Sequence, residues 1–201
     1  MNLTKDTYEY ILNFADDRTI LNMLSVNKKF RDEALFERIV KSRYPLLSKY
    51  IHYNTWTNYY VEIVYYLSKL QEEFDFPYIK TAEFRPQNLY ERFKKDPNPM
   101  TIIIVGLNLA NKSSEIEKIK YFLDRAKKEL GDDFYEFSVH QTIKDAAKQN
   151  RLEIVKSLLE EYQELVLQTP EFMKTLHIKP EDWDQITNKE IYELLRQYYG
   201  T

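Results

Sequence analysis

The 201-residue chain contains no cysteine, which removes disulfides, thiolate chemistry and cysteine-ligated zinc or iron–sulfur centres and suits a reducing compartment. Glycine occurs three times and proline seven times. So few turn-formers argue against a β-sandwich or barrel and for helices. No apolar run approaches the roughly 20 residues needed to span a bilayer. Lys5, Asp6 and Glu9 interrupt the N-terminus where a signal peptide needs an apolar stretch. Neither sign of charge dominates, since the formal net charge is −3, so nothing global points to nucleic acid or an anionic membrane. The expectation is a soluble, intracellular protein with no nucleic-acid and no membrane partner.

Motifs that carry chemistry are equally scarce. Thr101 to Gly106 reads as a buried strand feeding a phosphate loop, but no second glycine and no Gly-Lys-Ser/Thr follow; an apolar helix start fits better. His52, His140 and His177 lie in three separate segments, none with a second ligand at i+3 or i+4. Each is expected to be a surface or capping histidine. The acid pairs Asp16-Asp17, Glu72-Glu73 and Asp132-Asp133 fall in turns or helix ends, where capping and solvation account for them. No serine stands in a Gly-x-Ser-x-Gly elbow. The reading is a non-enzymatic protein with no catalytic residue, no metal and no cofactor. Lys28 to Lys49 carries seven basic residues against Asp32, Glu33 and Glu37, a mild positive patch that reads as a solvated face.

Hydrophobic residues make up 43% of the chain, ample for a core. Tyr8, Ile11, Leu12 and Ala15 share one helical face. Asp16 to Thr19 offers N-cap residues ahead of Ile20, Leu21, Met23 and Leu24. Phe36, Ile39, Val40 and Arg43 repeat the spacing before Pro45 stops the helix. A strong aromatic helix is expected from about Trp56 to Phe74, buried on more than one side. Residues 79–86 read as a connection and Gln87 to Lys95 as a short helix. Asp96-Pro97-Asn98-Pro99 is the clearest break. Three parts follow: residues 1–76, a structured linker 77–99, and residues 100–201.

The last part contains a weak internal repeat. Leu107, Ala110, Ile116, Ile119, Phe122 and Leu123 correspond to Ile143, Ala147, Leu152, Val155, Leu158 and Leu159 at an offset of 36 or 37. Each copy reads as a short helix, a polar turn and a longer helix, so stacked helical pairs are expected. Asn150 stands at the turn, where it can adopt the left-handed conformation. Ser114–Glu117, Ser138–Gln141 and Thr187–Glu190 fit the capping box, and Ile186 with Ile191 fits a hydrophobic staple. Thr169-Pro170 and Lys179-Pro180 place proline at a first helical position. Lys189 to Tyr199 presents Ile191, Leu194, Leu195 and Tyr198 as a buried face. The 17 tyrosines suit recognition surfaces, but AT-rich codon usage also enriches them and is the favoured explanation.

Two resemblances give these segments a function. Leu3, Ile11-Leu12, Ile20-Leu21, Leu24 and Val26-Asn27-Lys28-Lys29-Phe30 resemble the F-box over about 40 residues. Thr4 stands for its usual Pro, Ala15 for a Leu, Asn27 for a Cys and Phe30 for a Trp. The Asn-Lys element resembles the variant in giant-virus proteins, where an F-box precedes ankyrin-like repeats and is followed by an aromatic helix similar to Trp56–Leu70. Gln141 to Leu159, through its Ala-Ala pair, Leu-Glu-Ile-Val and Leu-Leu, resembles an ankyrin repeat, departing where that family has Thr-Pro-Leu-His. The implied protein is all-α: an F-box-like three-helix bundle with a long aromatic helix, then degenerate ankyrin-like helical pairs. The resemblance implies a recruiting subunit of an SCF-type ubiquitin ligase in the host cytoplasm, with an adaptor subunit and an unknown protein substrate as partners. Leu3, Ile11, Leu12, Leu21, Leu24 and Val26 would stand at or behind the adaptor interface. The alternative is a virion or assembly scaffold whose bundle packs internally. An F-box leaves the Leu3/Ile11/Leu12 side partly exposed; a scaffold buries it against Trp56–Phe74.

Overall fold

The structure, a computed structural model, describes residues 10, 12, 14–26, 31–44, 47–49, 55–74, 97–170, 174, 178 and 180–200. Among them every element is helical and no strand occurs. The chain divides into two compact units, Met1–Val105 and Gly106–Thr201. The expected linker as far as residue 96, with its short helix at Gln87–Lys95, lies outside the described residues, as do Leu3 and Ile11.

In the first unit, α1 spans Asp17–Val26, α2 Glu33–Arg43 and α3 Trp56–Phe74, with a 3₁₀ turn at Leu47–Lys49. Asp16 caps α1, its carboxylate accepting from the Thr19 N–H at 2.8 Å, and Asp32 caps α2 by accepting from the Leu35 N–H at 3.1 Å. Both satisfy amide donors that a helix start leaves open. Helix α3 is capped by Thr55, whose hydroxyl accepts from the Asn58 N–H at 3.3 Å. Its first N–H groups, on Trp56 and Thr57, are met by the Glu33 carboxylate, which also accepts from the Thr57 hydroxyl at 2.6 Å. A negative charge is thereby set at a helix N-terminus, where the macrodipole favours it, and α2 is tied to α3. From Tyr59 to Leu67 every residue of α3 is buried, the many-sided burial its aromatic content leads one to expect.

Helix α4, Pro99–Ser113, begins in the first unit and ends in the second. The Asp96–Pro99 break is therefore also a helix start. Pro99 takes the first helical position, where it has no amide to lose, and the Asn98 side chain accepts from the Met100 and Thr101 N–H groups.

The second unit continues with α5 (Ile116–Leu130), α6 (Asp132–Lys148), α7 (Leu152–Glu161), α8 (Gln163–Gln168), α9 (Pro180–Trp183) and α10 (Lys189–Tyr199). Helix α5 packs on α6, α6 on α7, and α7 on both α8 and α10. The two turns that reverse the chain before α5 and α7 are built alike. Ser114 and Asn150 both take left-handed backbone, φ 59° and 55°. In each, the residue after them donates its N–H five residues back, Glu115 to Ala110 at 3.0 Å and Arg151 to Ala146 at 2.9 Å, the Schellman closure of a helix end. The repeat is thus in register at 36, with Ala110 answering to Ala146 rather than Ala147.

Side chains then link successive turns. Arg151 donates to the Ser114 hydroxyl and, at 2.7 Å, to the Lys112 carbonyl left open at the end of α4. The Asn150 amide oxygen accepts from the Thr187 hydroxyl at 3.1 Å and the Asn188 N–H at 3.0 Å. Helix α10 carries the pattern on, with Ile191 and Leu195 thirty-six residues after Val155 and Leu159 and equally buried.

Three capping expectations change. Glu115, not Ser114, precedes α5. Ser138 is buried in the middle of α6, which starts instead at Asp132 after Gly131; nothing near Ser138 breaks the helix, so its capping-box spacing is a coincidence inside a continuous turn. Asn188, one residue after Thr187, caps α10 by accepting from Glu190 and Ile191 N–H groups. The first helix of the second copy is consequently long, not short.

Candidate functional site

Of the residues the F-box resemblance singles out, Leu12, Leu21 and Leu24 are buried, with Leu12 only 1% exposed. Val26 closes α1. Beside Leu12, Tyr10 and Phe14 project outward, 67% and 75% exposed, their rings 4.8 Å apart. An i, i+4 aromatic pair that meets itself but not the core is an apolar surface without internal use.

Behind that surface lies a polar knot that gives the segment its position. Asp17 Oδ1 accepts from Arg43 at 2.9 Å and from the Tyr60 hydroxyl at 2.5 Å, while Oδ2 accepts from the Tyr44 hydroxyl at 2.5 Å. Arg43 also donates to the Leu12 and Ala15 carbonyls, at 3.1 and 2.5 Å. One carboxylate thus joins α1, α2 and α3. Burial, with the Asp17 charge adding to it, pushes the Tyr44 and Tyr60 hydroxyls well above the ordinary tyrosine range, so both remain protonated donors. In the sequence Asp17 reads as a capping or solvated acid; its long-range partners carry no local signal. Two cations of the Lys28–Lys49 patch are spent internally, Arg43 on Asp17 and Lys41 on Glu37.

The second unit carries a groove. Two adjoining depressions, of about 550 and 530 Å³, share Tyr135, Glu161 and Tyr162. Acids surround them: Glu117 and Asp124 from α5, Asp132 and Glu136 from α6, Glu161 from α7 and Glu164 from α8. The cations at the rim are Lys120, which pairs with Glu161 at 3.0 Å, and Lys127. Among the described residues no cation pairs with Glu117, Asp124, Asp132 or Glu164. The Tyr135 and Tyr162 rings meet edge to face at 6.1 Å.

His140 lies fully buried in α6, against the expectation of a surface or capping residue. Its Nε2 is 3.0 Å from the Thr169 hydroxyl and its Nδ1 2.7 Å from the Tyr199 hydroxyl. Thr169 gives its single proton to the Leu165 carbonyl at 2.9 Å or the Glu136 carboxylate at 3.2 Å. With that proton on either acceptor, the Thr169 oxygen accepts from Nε2–H and Nδ1 accepts from Tyr199. Both ring nitrogens are used in holding α6, α8 and α10 together. His52 and His177 lie outside the described residues.

No cluster of three or more histidine or acidic side chains that could hold a metal ion occurs among the described residues, and no helix among them is long and apolar enough to cross a membrane. Comparison with family models, curated proteins and solved structures finds no match.

Proposed function

We propose that the chain is a non-enzymatic recruiting protein, an F-box-like subunit that brings a protein substrate to an SCF-type ubiquitin ligase, with giant-virus and host-cytoplasm setting as the resemblance implies. The chain would act by proximity, holding two partners while other subunits do the chemistry. The observation that carries this reading is the matched pair of left-handed turns at Ser114 and Asn150, each linked by side chains to the next level. Helical pairs stacked in register, which we read as ankyrin-like, build extended surfaces for binding.

In this reading Leu12, Leu21 and Leu24 stand behind the adaptor interface, and the exposed Tyr10 and Phe14 make the contact. The test is capture of the adaptor subunit by the purified chain, compared with a Tyr10→Asp/Phe14→Asp variant whose helicity is verified. Capture by the wild type and loss in the folded variant support the role. A folded wild type that captures nothing sinks it. The scaffold reading is favoured by one fact, the near-complete burial of Leu12, and predicts that negative result.

A further inference from the structure

We propose that the α5–α8 groove receives a basic peptide segment, its arginine or lysine side chains lying along the Tyr135 ring and reaching the Tyr162 hydroxyl, with their charges facing Asp124 in one depression and Glu164 in the other. Charge complementarity is the first argument. The groove gathers unpaired carboxylates from three helices, α5, α6 and α8, around an aromatic floor, which repels nucleic acid and acidic peptides and attracts cations. The second is Tyr162. It is only 9% exposed and opens on both depressions, yet no described residue hydrogen-bonds its hydroxyl. The ring is packed while its hydroxyl opens on the groove, where a guanidinium or peptide group would find it as a hydrogen-bond partner. The third is that a cation already occupies part of the seat, the Lys127 ammonium lying 5.1 Å from the Tyr135 ring centroid. Ammonium or guanidinium over a tyrosine face is the contact a basic peptide would make. Burial and the nearby Asp124 and Glu161 charges raise the Tyr162 hydroxyl above the ordinary range, keeping it a neutral donor beside the acids.

The inference names what the second unit would hold and rests on the recruiting role only for its purpose; binding itself needs no adaptor. The probe is a fluorescein-labelled peptide of repeating Arg-Gly-Lys-Gly, titrated with the full chain by anisotropy, against the same peptide with Glu at each basic position. The basic peptide binds and the acidic one does not. Reversal at Asp124→Lys/Glu164→Lys, both exposed, weakens binding about tenfold or more. Reversal at Glu153→Lys/Glu193→Lys, equally exposed but outside the groove, alters net charge by the same amount and changes binding less than about twofold. Lys127→Ala frees the Tyr135 face and tightens binding by about two- to fivefold. Equal weakening by both reversals would mean a diffuse field and overturn the site, as would no binding of the basic peptide by a chain whose helicity is intact. Peptide binding without adaptor capture, or the converse, separates this inference from the ligase reading.

Discussion

Asp17 and Tyr60, forty-three residues apart, are joined by a 2.5 Å hydrogen bond from the phenol to the carboxylate. The same carboxylate serves Arg43 and Tyr44, so its removal takes the counter-charge from a half-buried cation and the acceptor from two buried hydroxyls. Removing one partner of such a set costs about 3–5 kcal/mol, far above the ~0–1 kcal/mol of a surface pair. Asp17→Ala is expected to lose that much in urea unfolding. Asp17→Asn keeps one acceptor oxygen and should lose less. A loss below about 1 kcal/mol for the alanine variant would show the knot to be incidental.

A second close relationship sets two familiar effects against each other. Gly106 sits inside α4, and a Cβ there would run into the Phe122 ring. Helix propensity favours Gly106→Ala by about 1 kcal/mol, whereas overpacking costs about 1–3 kcal/mol. Phe122 is fully buried and has little room to retreat, so a net loss of about 1–2 kcal/mol is expected. A double-mutant cycle with Phe122→Leu checks the cause: the shorter side chain should absorb the added methyl, giving a favourable coupling. Additive losses would place the strain elsewhere.

These relationships mark the limit of what the sequence discloses. Trp56–Phe74, the Lys189–Tyr199 helix and the left-handed Asn150 turn are legible because period, caps and backbone preference are local. The Asp17 knot, the His140 contacts and the acidic groove are not, because each assembles groups from three or four helices that only packing brings together. Ser138 misleads for a related reason: a capping-box spacing is equally at home on a buried helix, and Gly131 with Asp132-Asp133 was the stronger start signal.

Tyr199→Phe removes the donor to His140 Nδ1 and nothing else. The ring stays packed while fully buried His140 loses its Tyr199 hydrogen bond, which costs about 1–3 kcal/mol. Thermal unfolding of the variant measures it. An unchanged midpoint would mean that another group satisfies Nδ1 and that the assigned tautomer is wrong.

Asp16 gives a pH-dependent prediction. Hydrogen bonds from the Thr19 side chain and backbone N–H hold its carboxyl below the usual range. A group depressed in the folded state contributes its full stability above its unfolded value, about 3.9, and loses it as pH falls through the folded value. Asp16→Ala should therefore cost about 1 kcal/mol at neutral pH, and the difference from wild type should shrink below about pH 4. Because the residue is exposed, salt screens the charged part but not the cap geometry. A difference constant from neutral to strongly acid pH would rule out the carboxylate as the cap.

Asn150 tests whether turn conformation or cross-turn bonding holds the stack together. Its backbone is left-handed, φ 55°, which costs an ordinary L-residue about 1–2 kcal/mol. Its side chain separately accepts from Thr187 and Asn188, bonds worth about 0.5–1.5 kcal/mol each when exposed groups have water as the alternative. Asn150→Ala forfeits both contributions and should destabilise by about 2 kcal/mol or more. Asn150→Gly restores the backbone but not the bonds, so its loss isolates them. If glycine matches wild type, the conformation is what matters and α10 needs no tether. If glycine is as costly as alanine, the link from Asn150 to Thr187 and Asn188 is what fixes α10 against α7.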